Sequence, residues 1–168
     1  MSLIRFAFPI GSLVAGGVFM ASGSSKAELD FPVPATEVVQ RLSGASRTVE
    51  GTGMGSLTLS GTGLDPRSVR VSVSRAGSPN RVKCTVQVAD ESETTSSASV
   101  DCTQIGAKTE AMNRLGGEAM AIVVSEHVRS VGLKQPYDTN AVGDKMLAFM
   151  ARNAPLMAAQ MQLPGKAK

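Results

Sequence analysis

Two short stretches decide the fold: Val82-Lys83-Cys84-Thr85-Val86-Gln87-Val88 and Ala98-Ser99-Val100-Asp101-Cys102-Thr103-Gln104. In both, apolar and polar side chains alternate, the period of a strand with one face buried. Placing Cys84 opposite Cys102 in an antiparallel hairpin makes partner numbers sum to 186, so Val86 meets Val100 and Val88 meets Ala98. That face is wholly apolar. The other face carries Lys83, Thr85 and Gln87 against Thr103, Asp101 and Ser99, all polar. A slip of one residue would set apolar side chains opposite polar ones, so the register is constrained. The polar stretch Glu91–Thr95 supplies the turn. In an oxidising compartment Cys84 and Cys102 are expected to form a structural disulfide, worth about 3 kcal/mol in the chain-entropy model. The chain has no third cysteine, and the pair lacks the Cys-x-x-Cys spacing of a redox motif.

Working outward, Val69, Val71 and Val73 alternate with Arg70, Ser72 and Ser74, and Leu57 and Leu59 mark a further strand. Leu64-Asp65-Pro66 and Gly77-Ser78-Pro79-Asn80 read as turns, because proline presets φ and glycine permits positive φ. Upstream, Lys26–Val33 is extended and Pro34 opens a short helix over about 35–43, with Glu37 in its first turn and Gly44 at its end. Val38, Val39 and Leu42 form its apolar side. Downstream of Gly106 the period becomes helical: Met112, Leu115, Ala119, Ile122 and Val123 mark a long helix over about 107–131, ending at Gly132. Asp138 or Thr139 caps a last helix from about 140, with Val142, Met146, Phe149 and Met150 on one side. Pro155 is expected to kink or interrupt it. The fold class is therefore α+β: an antiparallel meander of about five strands packed against two C-terminal helices, with a short N-terminal helix.

The beginning of the chain has a different character. Arg5 precedes an uncharged run, Phe6–Ala21, followed by Ser22-Gly23-Ser24-Ser25. Positive, apolar, then small is the order of a secretory signal peptide, with Ala21 and Gly23 at −3 and −1 for cleavage before Ser24. The run is shorter than the ~20 residues that span hydrocarbon comfortably, although a retained anchor stays open as a second reading. If the leader is retained, residues 1–23 contact a membrane; on either reading the body is expected outside the cytoplasm, periplasmic or membrane-anchored. Residues 24–164 form one α+β domain, and residues 165–168 a flexible tail.

Composition narrows the function. The chain has 168 residues with 17 basic and 14 acidic side chains, too little net charge to argue for nucleic acid. Tryptophan is absent, and beyond the leader the aromatic rings are Phe31, Phe149 and Tyr137, which leaves no stacking platform for bases. Gly51, Gly53 and Gly55 imitate a phosphate loop, but strands follow where a helix would have to open. His127 is the only histidine; a zinc site needs three or four ligands, and Glu126, adjacent on the helix, does not face it. Arg70, Arg75, Arg81 and Lys83 read as a solvated sheet face. No catalytic, metal or cofactor motif emerges, so the expected module is non-catalytic. Met112, Met120, Met146 and Met150 are the candidate lining of an apolar ligand site between sheet and helices, methionine being adaptable at binding surfaces. The expected partner is thus an apolar small molecule; the alternative is a structural or assembly protein docking an envelope partner at the membrane.

The segment Phe31-Pro32-Val33-Pro34-Ala35-Thr36-Glu37-Val38-Val39-Gln40-Arg41-Leu42-Ser43 resembles the opening of the helix-grip (START-like, SRPBCC) superfamily, where a strand runs through a proline-containing turn into a helix. The order strand, short helix, meander, long helix is also similar to that fold. The resemblance implies a sheet curved around the long helix with an apolar cavity between them, and it assigns no functional residue. The chain departs from the pattern in its export leader, its glycine-rich first strands and its second C-terminal helix.

Overall fold

The computed structural model describes residues 27–50, 55–75 and 78–162. The leader, the Gly51 and Gly53 positions, Gly77 and the 165–168 tail lie outside the described residues. In chain order the elements are β1 (Ala27–Phe31), α1 (Ala35–Leu42), β2 (Ser46–Val49), β3 (Leu57–Asp65), β4 (Ser68–Arg75), β5 (Ser78–Asp90), β6 (Ser96–Gln104), α2 (Glu110–Gly132) and α3 (Thr139–Gln162). All six strands join one antiparallel sheet in the order β1-β6-β5-β4-β3-β2.

The β5–β6 hairpin has the register its alternation demands. Cys84 pairs with Cys102, Val86 with Val100, and Val88 with Ala98, and the two sulfurs are bonded. The same inward row continues across the sheet, Val71 opposite Cys84 and Val69 opposite Val86. Residues Glu91–Thr95 form the turn, closed by Glu91 and Ser92 amides donating to the Thr95 carbonyl. The strand missing from the sequence reading is β2, which makes six strands rather than five. It lies at an edge, has four residues, and buries only Val49, so it offers almost no alternation to detect.

Because β1 and β2 occupy opposite edges, α1 between them must cross the sheet face. Val38, Val39 and Leu42 are buried there, and Gly44 takes φ 82° just past the helix end, as its position suggested. The capping of α1 comes from elsewhere: Pro34 contributes no side chain, and the Ala35 amide instead donates to Asp90 Oδ1 at 2.8 Å. Asp90 is also paired with Arg67 at 3.0 Å. A carboxylate at a helix N-terminus meets both free amides and the dipole.

Helix α2 shares the sheet face with α1. Thr109 caps it, accepting from the Met112 amide at 3.2 Å. Its inward side holds Met120, Val123, Val124, His127 and Val128. Gly117 is what lets it approach β6: a Cβ there would lie 2.3 Å from the Cys102 carbonyl oxygen. Gly132 proves to be the last helical residue, flush against the Phe31 ring, and the left-handed residue of the following turn is Lys134 at φ 54°. Helix α3 packs chiefly on α2 rather than on the sheet, the two running antiparallel, with Thr109 donating to Gln160 Oε1 at 2.9 Å. Asp138 caps it, accepting from the Ala141 amide at 2.9 Å. The helix runs through Pro155 without interruption, at the cost of the one amide that proline lacks.

Candidate functional site

Four methionines were expected to line one interior site, and the structure separates them. Met120 is buried at 8% exposure and Met146 is half-buried against the core, whereas Met112 and Met150 are 41% and 43% exposed. The geometry follows from where the helices sit. With α1 and α2 covering the sheet, α3 forms an outer layer, and the side of α3 bearing Met150 points away from α2.

That outward side is the most unusual surface among the described residues. Val142 and Phe149 are buried beneath α3, and Met146, Asn153, Leu156, Met157 and Gln160 are half-buried beside them. Leu147 is 63% exposed, and around it Met150, Ala151, Ala154, Pro155 and Ala158 are all exposed. Only Asp144, Lys145 and Arg152 are charged in 24 residues. Apolar residues on a helix normally gather on the side turned to the core, yet here Leu147 and Met150 are exposed while Val142 and Phe149 take the buried side. Counting methionines in the sequence missed it, because the signal is the scarcity of charge between Met146 and Gln162 rather than any one residue type.

A second cluster gathers at the α2–α3 turn. Glu126, 2% exposed, holds Arg129 through both oxygens, at 2.8 Å to Nε and 2.6 Å to Nη2, and accepts from the Asp138 amide at 2.8 Å. Arg129 also donates to Gln135 Oε1 at 2.6 Å and to the Pro136 carbonyl at 3.3 Å. Burial pushes the Glu126 carboxyl up, but the hydrogen bonds from Arg129 and the Asp138 amide outweigh it and hold it below the usual range. Tyr137 donates to the Val123 carbonyl at 3.4 Å, and Arg47 lies 5.8 Å from its ring centre. Burial, with the Glu126 charge, pushes the Tyr137 hydroxyl up to about 12. Beside this cluster an open cleft of about 570 Å³ is lined by Arg129, Tyr137, Asp138 and Asn140 among others. With the Glu126 oxygens already engaged, the arrangement acts as a clamp on the turn that launches α3.

His127 is adjacent in sequence but belongs to the core. It is fully buried, and neither ring nitrogen has a hydrogen-bond partner among the described residues. Burial, reinforced by the Arg47 charge, lowers its pKa to about 4. Glu126 pairs with Arg129 and not with His127. Among the described residues no group of three or more His, Cys, Asp or Glu side chains is placed to hold a metal ion. No described helix is long and apolar enough to cross a membrane.

Comparison with known proteins places the chain in no family: no family model matches, and no curated protein matches. Among solved structures it is similar to an uncharacterised protein from Bacillus thuringiensis, at 15% identity and a TM-score of 0.39 over 73% of this chain and 98% of that one. A second is the Aha1 dimer from Colwellia psychrerythraea, at 10% identity and a TM-score of 0.40 over 66% and 97%. A third is CalU16 from Micromonospora echinospora, at 14% identity and a TM-score of 0.37 over 74% and 83%. Similarities of this size transfer no function.

Proposed function

We propose that this is a non-catalytic, exported module that docks onto another component of the cell envelope through the outward side of α3. The observation that carries the reading is the exposed apolar surface around Leu147 and Met150 on a helix with three charges. Large exposed apolar patches on otherwise well-packed domains mark interaction sites. The leader motivates the location, since an apolar run of 16 residues behind Arg5 is what an export signal or anchor requires. The disulfide suits an oxidising compartment. The competing reading, an apolar small molecule held in the interior, draws on Met120 and Met146 alone, because the other two methionines point outward.

Cell fractionation of the full chain tests the proposal. Wild-type protein is expected to co-fractionate with envelope material, and the double variant Leu147→Glu/Met150→Glu to be released while its Cys84–Cys102 bridge stays formed. Equal distribution of the two proteins would refute docking through α3.

A further inference from the structure

Resting on the docking reading, we infer that the surface α3 engages is an anionic lipid bilayer, with the helix lying in the plane of the headgroups. Two independent observations carry it. The first is the shape of the apolar side. Leu147, Ala151, Ala154 and Ala158 follow one another at spacings of three and four along the helix, with Met150 and Pro155 beside them, all exposed. This makes a shallow continuous strip over about three turns rather than a groove or a knob, which suits a soft planar partner.

The second observation is where the charge of the chain resides. Before Thr139 there are 13 basic and 13 acidic residues, so the first 138 residues are neutral. From Thr139 onward Lys145, Arg152, Lys166 and Lys168 stand against Asp144 alone, and the entire net charge of +3 belongs to α3 and the segment behind it. Lys145 and Arg152 are seven residues apart, hence on one side of the helix, and both are exposed on the flank beyond Pro155 and Ala148, while Asp144, three residues before Leu147, is the one charge next to the strip itself. Basic side chains bordering an apolar helix side are the pattern of an interfacial helix, in which burial of apolar area and attraction to anionic headgroups act together. Helix α3 is not long and apolar enough to cross a bilayer, and the mode inferred for it is to lie on the surface.

The absence of tryptophan from the chain makes the test direct. Full-length Leu147→Trp and Met150→Trp proteins each carry one reporter on the strip, and Leu64→Trp carries one at an exposed site on β3. Each is titrated with phosphatidylglycerol/phosphatidylcholine vesicles, with phosphatidylcholine vesicles alone, and with protein concentration in the absence of lipid. Tryptophan emission at positions 147 and 150 is expected to shift to the blue with anionic vesicles only, to return on raising the salt, and to stay unchanged at position 64. Adding Leu147→Glu to the Met150→Trp protein is expected to weaken partitioning by about tenfold, the worth of one buried leucine. An equal shift at all three positions would mean that the leader alone brings the body to lipid, and would overturn the proposal. So would an equal response to neutral vesicles. A shift that needs only higher protein concentration would identify a second copy as the partner instead. Silence toward both vesicle types, with the envelope fractionation still dependent on Leu147 and Met150, would remove lipid while leaving docking in place; silence in both experiments would remove both.

Discussion

Lowering the pH from 7 to 5 should destabilise this protein through His127. The ring is completely buried with both nitrogens unpartnered among the described residues, and its pKa is lowered to about 4 from an ordinary 6.5. A histidine with a depressed folded-state pKa binds its proton in the unfolded chain first. Stability is therefore intact above about pH 6.5, falls as the pH drops through that value, and stops falling below about 4. Over the window from 7 to 5 the separation of the two titrations is roughly 1.5 pH units, and at about 1.36 kcal/mol per unit the loss is about 2 kcal/mol. Asp65, held low first by the Ser68 hydroxyl and then by the Arg67 amide, and Glu126, held low despite burial by Arg129 and the Asp138 amide, also favour the folded state. Their contributions disappear only as the pH falls below the ordinary carboxylate range, so the 7-to-5 window isolates the imidazole. Urea unfolding with the disulfide intact, at both pH values, measures the loss as a lowered midpoint at constant slope. In His127→Leu, of similar size and without a titrating group, the change should shrink to a few tenths of a kcal/mol. A wild-type protein equally stable at pH 7 and 5, or a leucine variant with the same pH dependence as wild type, would refute the reasoning.

The approach of α2 to β6 predicts that Gly117→Ala, whose methyl would meet the Cys102 carbonyl oxygen at 2.3 Å, destabilises by about 1–3 kcal/mol in urea melts. Gly143→Ala in α3, with nothing within 4 Å, should instead add about 0.5–1 kcal/mol through helix propensity. Removing the carboxylate that caps α1, in Asp90→Ala, should cost about 1 kcal/mol and expose the Ala35 amide to hydrogen exchange; unchanged protection there would mean that the cap is dispensable.

The β5–β6 pairing was legible from sequence alone because a period of two admits one register once Cys84 faces Cys102, and a slip costs an entire buried face. Glycine and proline likewise announced the ends of α1, and Asp138 the start of α3, since caps are local and act within one turn. Tertiary structure decided what depends on distant partners. Asp90 caps a helix 55 residues away, and nothing near Pro34 or near Asp90 signals it. Two adjacent glycines, Gly116 and Gly117, weaken a helix by propensity, and only the fold shows Gln104 against the first and Cys102 against the second. His127 could be counted but not placed, because a helical stripe shows which side is apolar and not how deeply that side is buried. Periodicity equally could not say which helices would win the sheet face. Helix α1 crosses between opposite edges and occupies one part of it, α2 takes the rest, and α3 is left outside with Leu147 and Met150 in water. Local patterns set each element and its apolar side. The competition of those sides for one sheet of limited area is a property of the whole chain, and it is what separated four methionines expected in a common interior, leaving Met120 buried, Met146 half-buried, and Met112 and Met150 exposed.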